Sequence, residues 1–306
     1  MTDKNNPFIC ADWGTSNLRV YLMDGEGSLL EEKKSDQGLL AAKGKFQETL
    51  GTLCQQWFIK YPTAPVYLSG MIGSREGWVD ARYLDTPYNL QDLPNHLIAV
   101  PDQTRPTWVV PGVRHFETDN NSADIMRGEE TQILGAIEHL NINDAIFILP
   151  GTHSKWVQIS NRHIMYFNTY MTGEMYNIIK ENSILRYSVD DSRPQLNDAF
   201  IHGVDIAQKG TSLLNQLFTV RTSDVLGLLP KESQSSHLSG ILIGQEVTHA
   251  RAHFGDKPIH LIGSDHLTSL YQGALEHLGH ETHLLSGDIA ARAGLNYLYS
   301  NQKNTK

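Results

Sequence analysis

The stretch Asp12-Trp13-Gly14-Thr15-Ser16, followed by Arg19, holds the residue types that a phosphate-handling turn needs. An apolar run, Phe8 to Ala11, precedes it and another, Leu18 to Met23, follows, so the pattern reads strand, tight turn, strand. Threonine and serine hydroxyls and turn amides donate to phosphate oxygens, and Gly14 lets the backbone approach them closely. Asp12, at the strand end, suits a Mg²⁺ ion, which is held through few carboxylates and keeps several waters. An ordinary hairpin with Asp as turn former uses the same residues, so the reading requires a counterpart elsewhere. One recurs at Pro150-Gly151-Thr152-His153-Ser154, between the apolar run Ala145 to Leu149 and the strand-like Trp156 to Ile159. His153 and Lys155 offer positive charge there; a turn-bonded histidine and a solvated strand lysine are the plainer alternatives. Two such hairpins, one per half, suit a nucleotide clamped between domains. No G-x-x-x-x-G-K-[ST] string and no strand-borne G-x-G-x-x-G occurs, which excludes a P-loop and the usual dinucleotide fingerprint.

The elements that must position these turns follow from periodicity. Strand-like runs at 8–12, 17–24 and 27–33 lead to a helical pattern at 45–59, with Phe46, Leu50, Leu53 and Trp57 on one face. A short strand at 66–69 completes a β-β-β-α-β unit. Glycine and proline break 70–106 into a long loop, and Trp108 to Val110 reads as strand. A helix is expected from about 124 to 140, capped by Ser122 or Asp124, with Ile133, Leu134, Ile137 and Leu140 on one side. After the second turn come a strand at Ile164 to Phe167 and helices near 171–182, 197–217 and 237–254. A strand at Ile259 to Ile262, a helix after Gly263-Ser264-Asp265, a strand at Thr282 to Leu285 and a terminal helix from Asp288 to Tyr299 follow. The class is α/β with two domains, 1–140 and 141–306, the boundary set by the recurring hairpin rather than by a linker.

Composition narrows the function classes. The chain of 306 residues has room for two domains with sizeable cores. A net charge of −9 offers no broad basic field for nucleic acid, so an anionic ligand must be met by local donors and a metal. No apolar run reaches the roughly 18 residues of a membrane helix, and Met1 to Pro7 lacks the apolar core of a secretory signal. Cys10 and Cys54 are isolated and show no metal-ligand spacing, which fits a reduced, cytoplasmic setting. None of the 14 histidines forms an H-E-x-x-H pattern. No nucleic-acid or membrane partner is expected; a homodimer is compatible with the sequence, which leaves the oligomeric state open.

Five motifs in order, D-W-G-T-S-x-L-R at 12–19, S-G-M-I-G-S-R-E-G-W at 69–78, M-R-G-E-E-T-Q at 126–132, L-P-G-T-H-S-K-W at 149–156 and M-T-G-E at 171–174, resemble those of the 2-dehydro-3-deoxygalactonokinase family. The similarity continues through L-S-G-I-L-I-G-Q-E at 238–246 and I-G-S-D at 262–265, so it covers nearly the whole chain. The resemblance implies two RNase-H-like, actin-like ATPase domains around a central cleft. It also implies ATP- and Mg²⁺-dependent phosphorylation of a small sugar acid, 2-dehydro-3-deoxy-D-galactonate, at its 6-hydroxyl, in galactonate catabolism. Where the second turn of the wider superfamily usually begins with an acid, this chain has Pro150, which shifts phosphate work toward His153 or Lys155.

Roles follow from what phosphoryl transfer requires. Its transition state is loose, so positioning and charge neutralisation dominate, with a carboxylate to take the hydroxyl proton. Glu129 and Glu130 open a helix just before the second hairpin, as the catalytic glutamate does in exopolyphosphatase-type relatives of the fold. Glu129 is the preferred base, with Asp12 its rival and also the expected metal ligand; helix-start stabilisation is the bland reading of the glutamates. Gly14, Thr15, Ser16, Arg19, Gly151, Thr152, His153, Ser154 and Lys155 are expected on the phosphates. Arg75 and Arg127 can grip a carboxylate bidentately, with Ser74 as donor and Trp78 as an apolar wall. Asn168, Thr169 and Glu174 are candidates for the sugar hydroxyls. Gly263 and Ser264, at a strand-to-helix junction, are candidates for adenosine, with Gly287-Asp288 flanking; a plain helix cap explains Ser264 equally well. A phosphohydrolase in which Glu129 activates water, and a non-catalytic actin-like nucleotide switch, are the alternatives.

Overall fold

The computed structural model describes residues 6–117 and 122–302. The chain separates into two compact units, Met1–Asn143 with Ile159–Tyr166 and Gly287–Lys306, and Asp144–Gln158 with Phe167–Ser286.

The first unit opens with β1 (Phe8–Trp13), β2 (Leu18–Met23) and β3 (Leu29–Ser35), an antiparallel meander with Asp12 opposite Arg19 in register. Helices α1 (Phe46–Leu53) and α2 (Gln55–Lys60) follow, then β4 (Val66–Gly70), which returns parallel to β1. The expected single helix at 45–59 is thus two, parted at the buried Cys54. The region read as a long loop contains a 3-10 turn at Met71–Gly73, β5 (Tyr83–Asp85), β6 (Tyr88–Asn89), a 3-10 helix at Leu90–His96 and β7 (Ile98–Ala99). Next come β8 (Thr107–Val109), β9 (Gly112–Glu117), β10 (Ser122–Met126) and α3 (Glu129–Leu140). The main sheet runs β3-β2-β1-β4-β8-β7, and β10-β9-β5 form a second, smaller one. β1 and β4 lie inside the main sheet and are buried almost throughout, so they read as continuous apolar runs; exposed β3 carries charge along the edge. Ile9, Ala11, Trp13, Val66 and Leu68 pack with Phe46, Leu50 and Trp57 of the helices in one core.

The expected helix at 124–140 needs correction. Ser122 to Met126 pair antiparallel with Glu117 to Val113, and the Asp124 carboxylate accepts from the Ile125 amide at 2.7 Å rather than capping a helix. Helix begins only at Glu129, after Gly128 at φ +106°.

The second unit holds β11 (Ala145–Leu149), β12 (Ser154–Ser160) and β13 (His163–Tyr170), whose far ends over 159–166 belong to the first unit, where His163 and Ile164 pair with β6. Helices α4 (Thr172–Asn182), α5 (Asp198–Ala207), α6 (Leu213–Val225) and α7 (Gln234–His253) follow, so the helical run expected at 197–217 is interrupted. Then come β14 (Ile259–Gly263), α8 (Asp265–His277) and β15 (Thr282–Ser286). β14 lies parallel to both β11 and β15, completing the order β15-β14-β11-β12-β13.

The last helix, α9 (Gly287–Asn301), returns to the first unit, so a single cut near Asn141 does not describe the compact units. It crosses α3 at backbone contact: a Cβ on Gly135 would stand 1.9 Å from the Ala290 carbonyl oxygen, and one on Gly294 2.0 Å from that of Thr131. Only glycine fits at either position.

Candidate active site

Acid groups gather where β1, β4 and α3 end or begin in the first unit. Asp12 closes β1 beside Gly70, the last residue of the parallel neighbour β4. Gly70 has φ +93°, and a Cβ there would meet the Trp13 carbonyl oxygen at 2.7 Å and the Asp12 carboxylate at 3.4 Å. A Cβ on Gly128 would lie 3.2 Å from the Gly70 Cα, so the turn that starts α3 sits directly on the end of β4. Two glycines in left-handed conformations therefore bring Asp12 and Glu129 together. Burial pushes the Asp12 carboxyl up to about 6; Arg19 opposes this, and the charges of Glu129 and Asp288 add to it.

Of the paired glutamates, the side chains diverge. Glu129 is half-buried, and its carboxylate accepts from the Arg127 amide at 2.9 Å. Glu130 is fully buried and accepts from the Gly128 amide at 2.7 Å and the Thr131 hydroxyl at 2.9 Å. Thr131 in turn accepts from Ser69 of β4 at 2.8 Å. Burial first, then the neighbouring Glu129 charge, raises the Glu130 carboxyl to about 7.

Thr15 and Ser16 are exposed on the first turn, which is closed by the Gly14 amide donating to Asn17 O at 2.9 Å. Arg19 donates to Asp288 at 2.8 Å in the first turn of α9. Asp288, expected as a flank of the adenosine site, instead meets Arg19, because α9 packs in the first unit.

The two arginines also part company. Arg127 is buried; one guanidinium nitrogen donates to the Ala81 carbonyl at 2.7 Å, and the group lies 4.4 Å over the Tyr83 ring. Its Nε and Nη1, and the Ser74 hydroxyl, are buried without a hydrogen-bond partner among the described residues. A Cβ on Gly73 would come within 2.8 Å of that Nη1, which places the 71–74 turn against the guanidinium. Unpaired buried N–H and O–H groups are costly, and a carboxylate is an acceptor suited to such donors. Arg75, by contrast, has a side chain 91% exposed, 4.0 Å from Asp80. Trp78 packs on the first unit's core. Tyr83 was missed; it lies in the stretch read as loop, and no local signal marks it.

The second turn lies in the other unit and is built differently. Gly151 and Thr152 border a pocket of about 310 Å³ that is also lined by Gly173 of α4, Ser264, and Leu267, Leu270 and Tyr271 of α8. Ser264 precedes α8 without a side-chain cap, and Gly263 ends β14. A turn and a strand-to-helix junction more than a hundred residues apart in sequence thus share one cavity, largely apolar, with Arg193 and His266 at its wall.

Expected donors near that turn are spent inward. The Ser154 hydroxyl is fully buried and donates to Glu246 at 2.6 Å, so it does not face the pocket as a phosphate donor. Lys155 is buried, its ammonium donating to Thr169 at 2.6 Å. Thr169 is half-buried and keeps its own hydroxyl hydrogen, and the ammonium keeps two further N–H groups. His153 is exposed and paired with Glu174. Asn168 is half-buried on β13. Glu246 was legible only as part of a motif, with no role assigned. Among the described residues no cluster of three or more His, Cys, Asp or Glu forms a metal cage, and no helix is long and apolar enough to cross a membrane.

A family model described as 2-keto-3-deoxy-galactonokinase matches residues 12–298. The chain belongs to this family. It is 36% identical over 292 residues to the 2-dehydro-3-deoxygalactonokinase of Escherichia coli K12, covering 94% of this chain and 96% of that one. A crystal structure described as a 2-dehydro-3-deoxygalactonokinase protein from Sinorhizobium meliloti superposes with a TM-score of 0.89 at 33% identity, covering 95% of this chain and 97% of the other. The activator of 2-hydroxyisocaproyl-CoA dehydratase from Clostridium difficile, at 10% identity and a TM-score of 0.53 over 98% of this chain and 96% of its own, shares the fold alone. The resemblance carried by the five motifs holds, and the fold is the mixed α/β one of actin-like ATPases and sugar kinases. The family consists of carbohydrate kinases, so a water-using phosphohydrolase or a non-catalytic switch is not favoured.

Proposed function

We propose that this chain transfers the γ-phosphoryl group of ATP to the 6-hydroxyl of 2-dehydro-3-deoxy-D-galactonate, in the cytoplasm, as a step of galactonate catabolism. The observation that carries the reading is the division of chemistry between the units. The first concentrates Asp12, Glu129 and the partly unpaired Arg127; the second builds an apolar pocket around a glycine turn and a helix start.

In this reading Arg127 and Ser74 hold the sugar-acid carboxylate, and the Tyr83 ring supports the guanidinium. Glu129 orients the attacking hydroxyl and takes its proton, with Asp12 the alternative. Thr15, Ser16 and the Gly14 turn amides serve the phosphates from the first unit, and Gly151 and Thr152 from the second. The adenosine lies in the pocket at Ser264 and Tyr271. Arg19 meets phosphate only by exchanging Asp288 for it. Arg75 takes no part, since its side chain stands in solvent. Asp12, among the crowded acids, would hold a Mg²⁺ ion, which needs few carboxylates from the protein. Bound Mg²⁺ supplies charge neutralisation for the phosphates.

A coupled ATP-consumption assay tests the proposal with the galactonate- and gluconate-derived keto acids, each with and without Mg²⁺. Turnover that needs both Mg²⁺ and the galactonate-derived acid is expected. ATP hydrolysis indifferent to sugar acid refutes it.

A further inference from the structure

Glu246 of α7 is 3% exposed, yet it belongs to neither the acid cluster nor the pocket lining. A buried carboxylate is costly unless hydrogen bonds replace its water. Here every contact is an inward-turned donor. One carboxylate oxygen accepts from the Ser154 hydroxyl at 2.6 Å and the Trp156 indole at 2.8 Å, both on β12. The other accepts from the Thr172 hydroxyl, which opens α4, and from the Tyr271 hydroxyl at 2.6 Å on α8. Thr172 and Tyr271 line the pocket, and Ser154 closes the turn whose Gly151 and Thr152 line it too. Thus one side chain of α7 ties the second turn, α4 and α8 together around the cavity.

A carboxylate only accepts, so it also fixes the direction of each O–H bond. The hydroxyl hydrogens of Thr172 and Tyr271 are spent on Glu246, and their oxygens keep acceptor capacity alone. An apolar residue fills such a space without setting any of these directions.

We propose that Glu246 is a positioning residue for nucleotide binding, holding the second turn and the Thr172–Tyr271 wall of the pocket in register. This rests on the reading that the pocket at Gly151 and Ser264 takes the nucleotide.

Glu246→Gln separates positioning from mere support. The Trp156 N–H can only donate, so it keeps the amide oxygen on its own side and leaves the amide nitrogen facing Thr172 and Tyr271. Volume and bonding are preserved while both hydroxyl hydrogens are released. Calorimetric titration of the full-length protein with ADP, together with steady-state KM values for ATP and for the sugar acid, gives the readout. ADP affinity and ATP KM are expected to worsen about tenfold, with sugar-acid KM changed less than about twofold. Unaltered ADP affinity in the folded variant, or equal losses for both substrates, overturns the proposal. Thr172→Val keeps the carboxylate and removes one partner, so it decides the matter if Glu246→Gln does not fold: about a threefold loss of ADP affinity supports the proposal and no loss overturns it. Wild-type protein that binds no ADP refutes the nucleotide pocket itself, a result distinct from either.

Discussion

The turns at Gly14 and Gly151 are built from similar residues and stand in different chemistry. In the first, Thr15 and Ser16 are exposed beside an aspartate whose carboxyl burial and acidic neighbours raise to about 6. In the second, no acid precedes the glycine in Leu149-Pro150-Gly151, Ser154 turns inward to Glu246, and buried Lys155 bonds Thr169. The first turn is an electrostatic device. The second is a matter of shape, a rim to an apolar pocket. A repeated motif therefore specifies a backbone bend, while its surroundings decide what the bend does.

The largest effect that tests this contrast belongs to the first unit. Glu129→Gln is expected to lower kcat by about 10³-fold or more while ADP affinity stays within about twofold, in steady-state and binding measurements. Unchanged turnover transfers the base role to Asp12. Arg127→Met should raise the sugar-acid KM by about 100-fold, because a desolvated guanidinium–carboxylate contact is lost, whereas Arg75→Met should leave it within about twofold. The reverse order returns the carboxylate site to Arg75.

The turns themselves can be compared directly. Thr15→Ala should raise ATP KM by about tenfold at unchanged melting temperature. Ser154→Ala should instead lower the melting temperature by about 2–6 °C, since it leaves a buried acceptor short of a donor. Matching behaviour of the two variants would erase the distinction.

The last test concerns pH. Burial raises the folded-state Glu130 carboxyl to about 7 from an unfolded value of 4.5. The folded state thus binds the proton more tightly, so this contribution is present below pH 4.5 and lost as pH rises toward 7. Glu130→Gln mimics the protonated form. Its stability should fall less steeply than wild type over that interval, a gain of up to about 3 kcal/mol at neutral pH in urea unfolding. An identical slope contradicts the assignment.

The first hairpin, the second hairpin and most strands were legible because apolar runs bounded by glycine and serine report strand ends locally. The start of α3 was not. Ser122 and Asp124 look like caps, but strand pairing with Glu117 to Val113 overrides local propensity there. Arg75 and Arg127 are equivalent as residue types, and only burial separates them. Ser154 and Thr152 read alike in the motif; which one faces the pocket depends on Glu246, 92 positions beyond Ser154. Tyr83, Asp288 and Glu246 owe their places to long-range packing, which leaves no periodic trace.

Amide hydrogen exchange of the full-length protein, with ADP alone and with 2-dehydro-3-deoxy-D-galactonate alone, probes the division between the units most directly. The account predicts that ADP protects 150–153, 172–177 and 264–271, while the sugar acid protects 71–83 and 126–130. Sugar-acid protection of the 264–271 segment without change at 71–83 would contradict it.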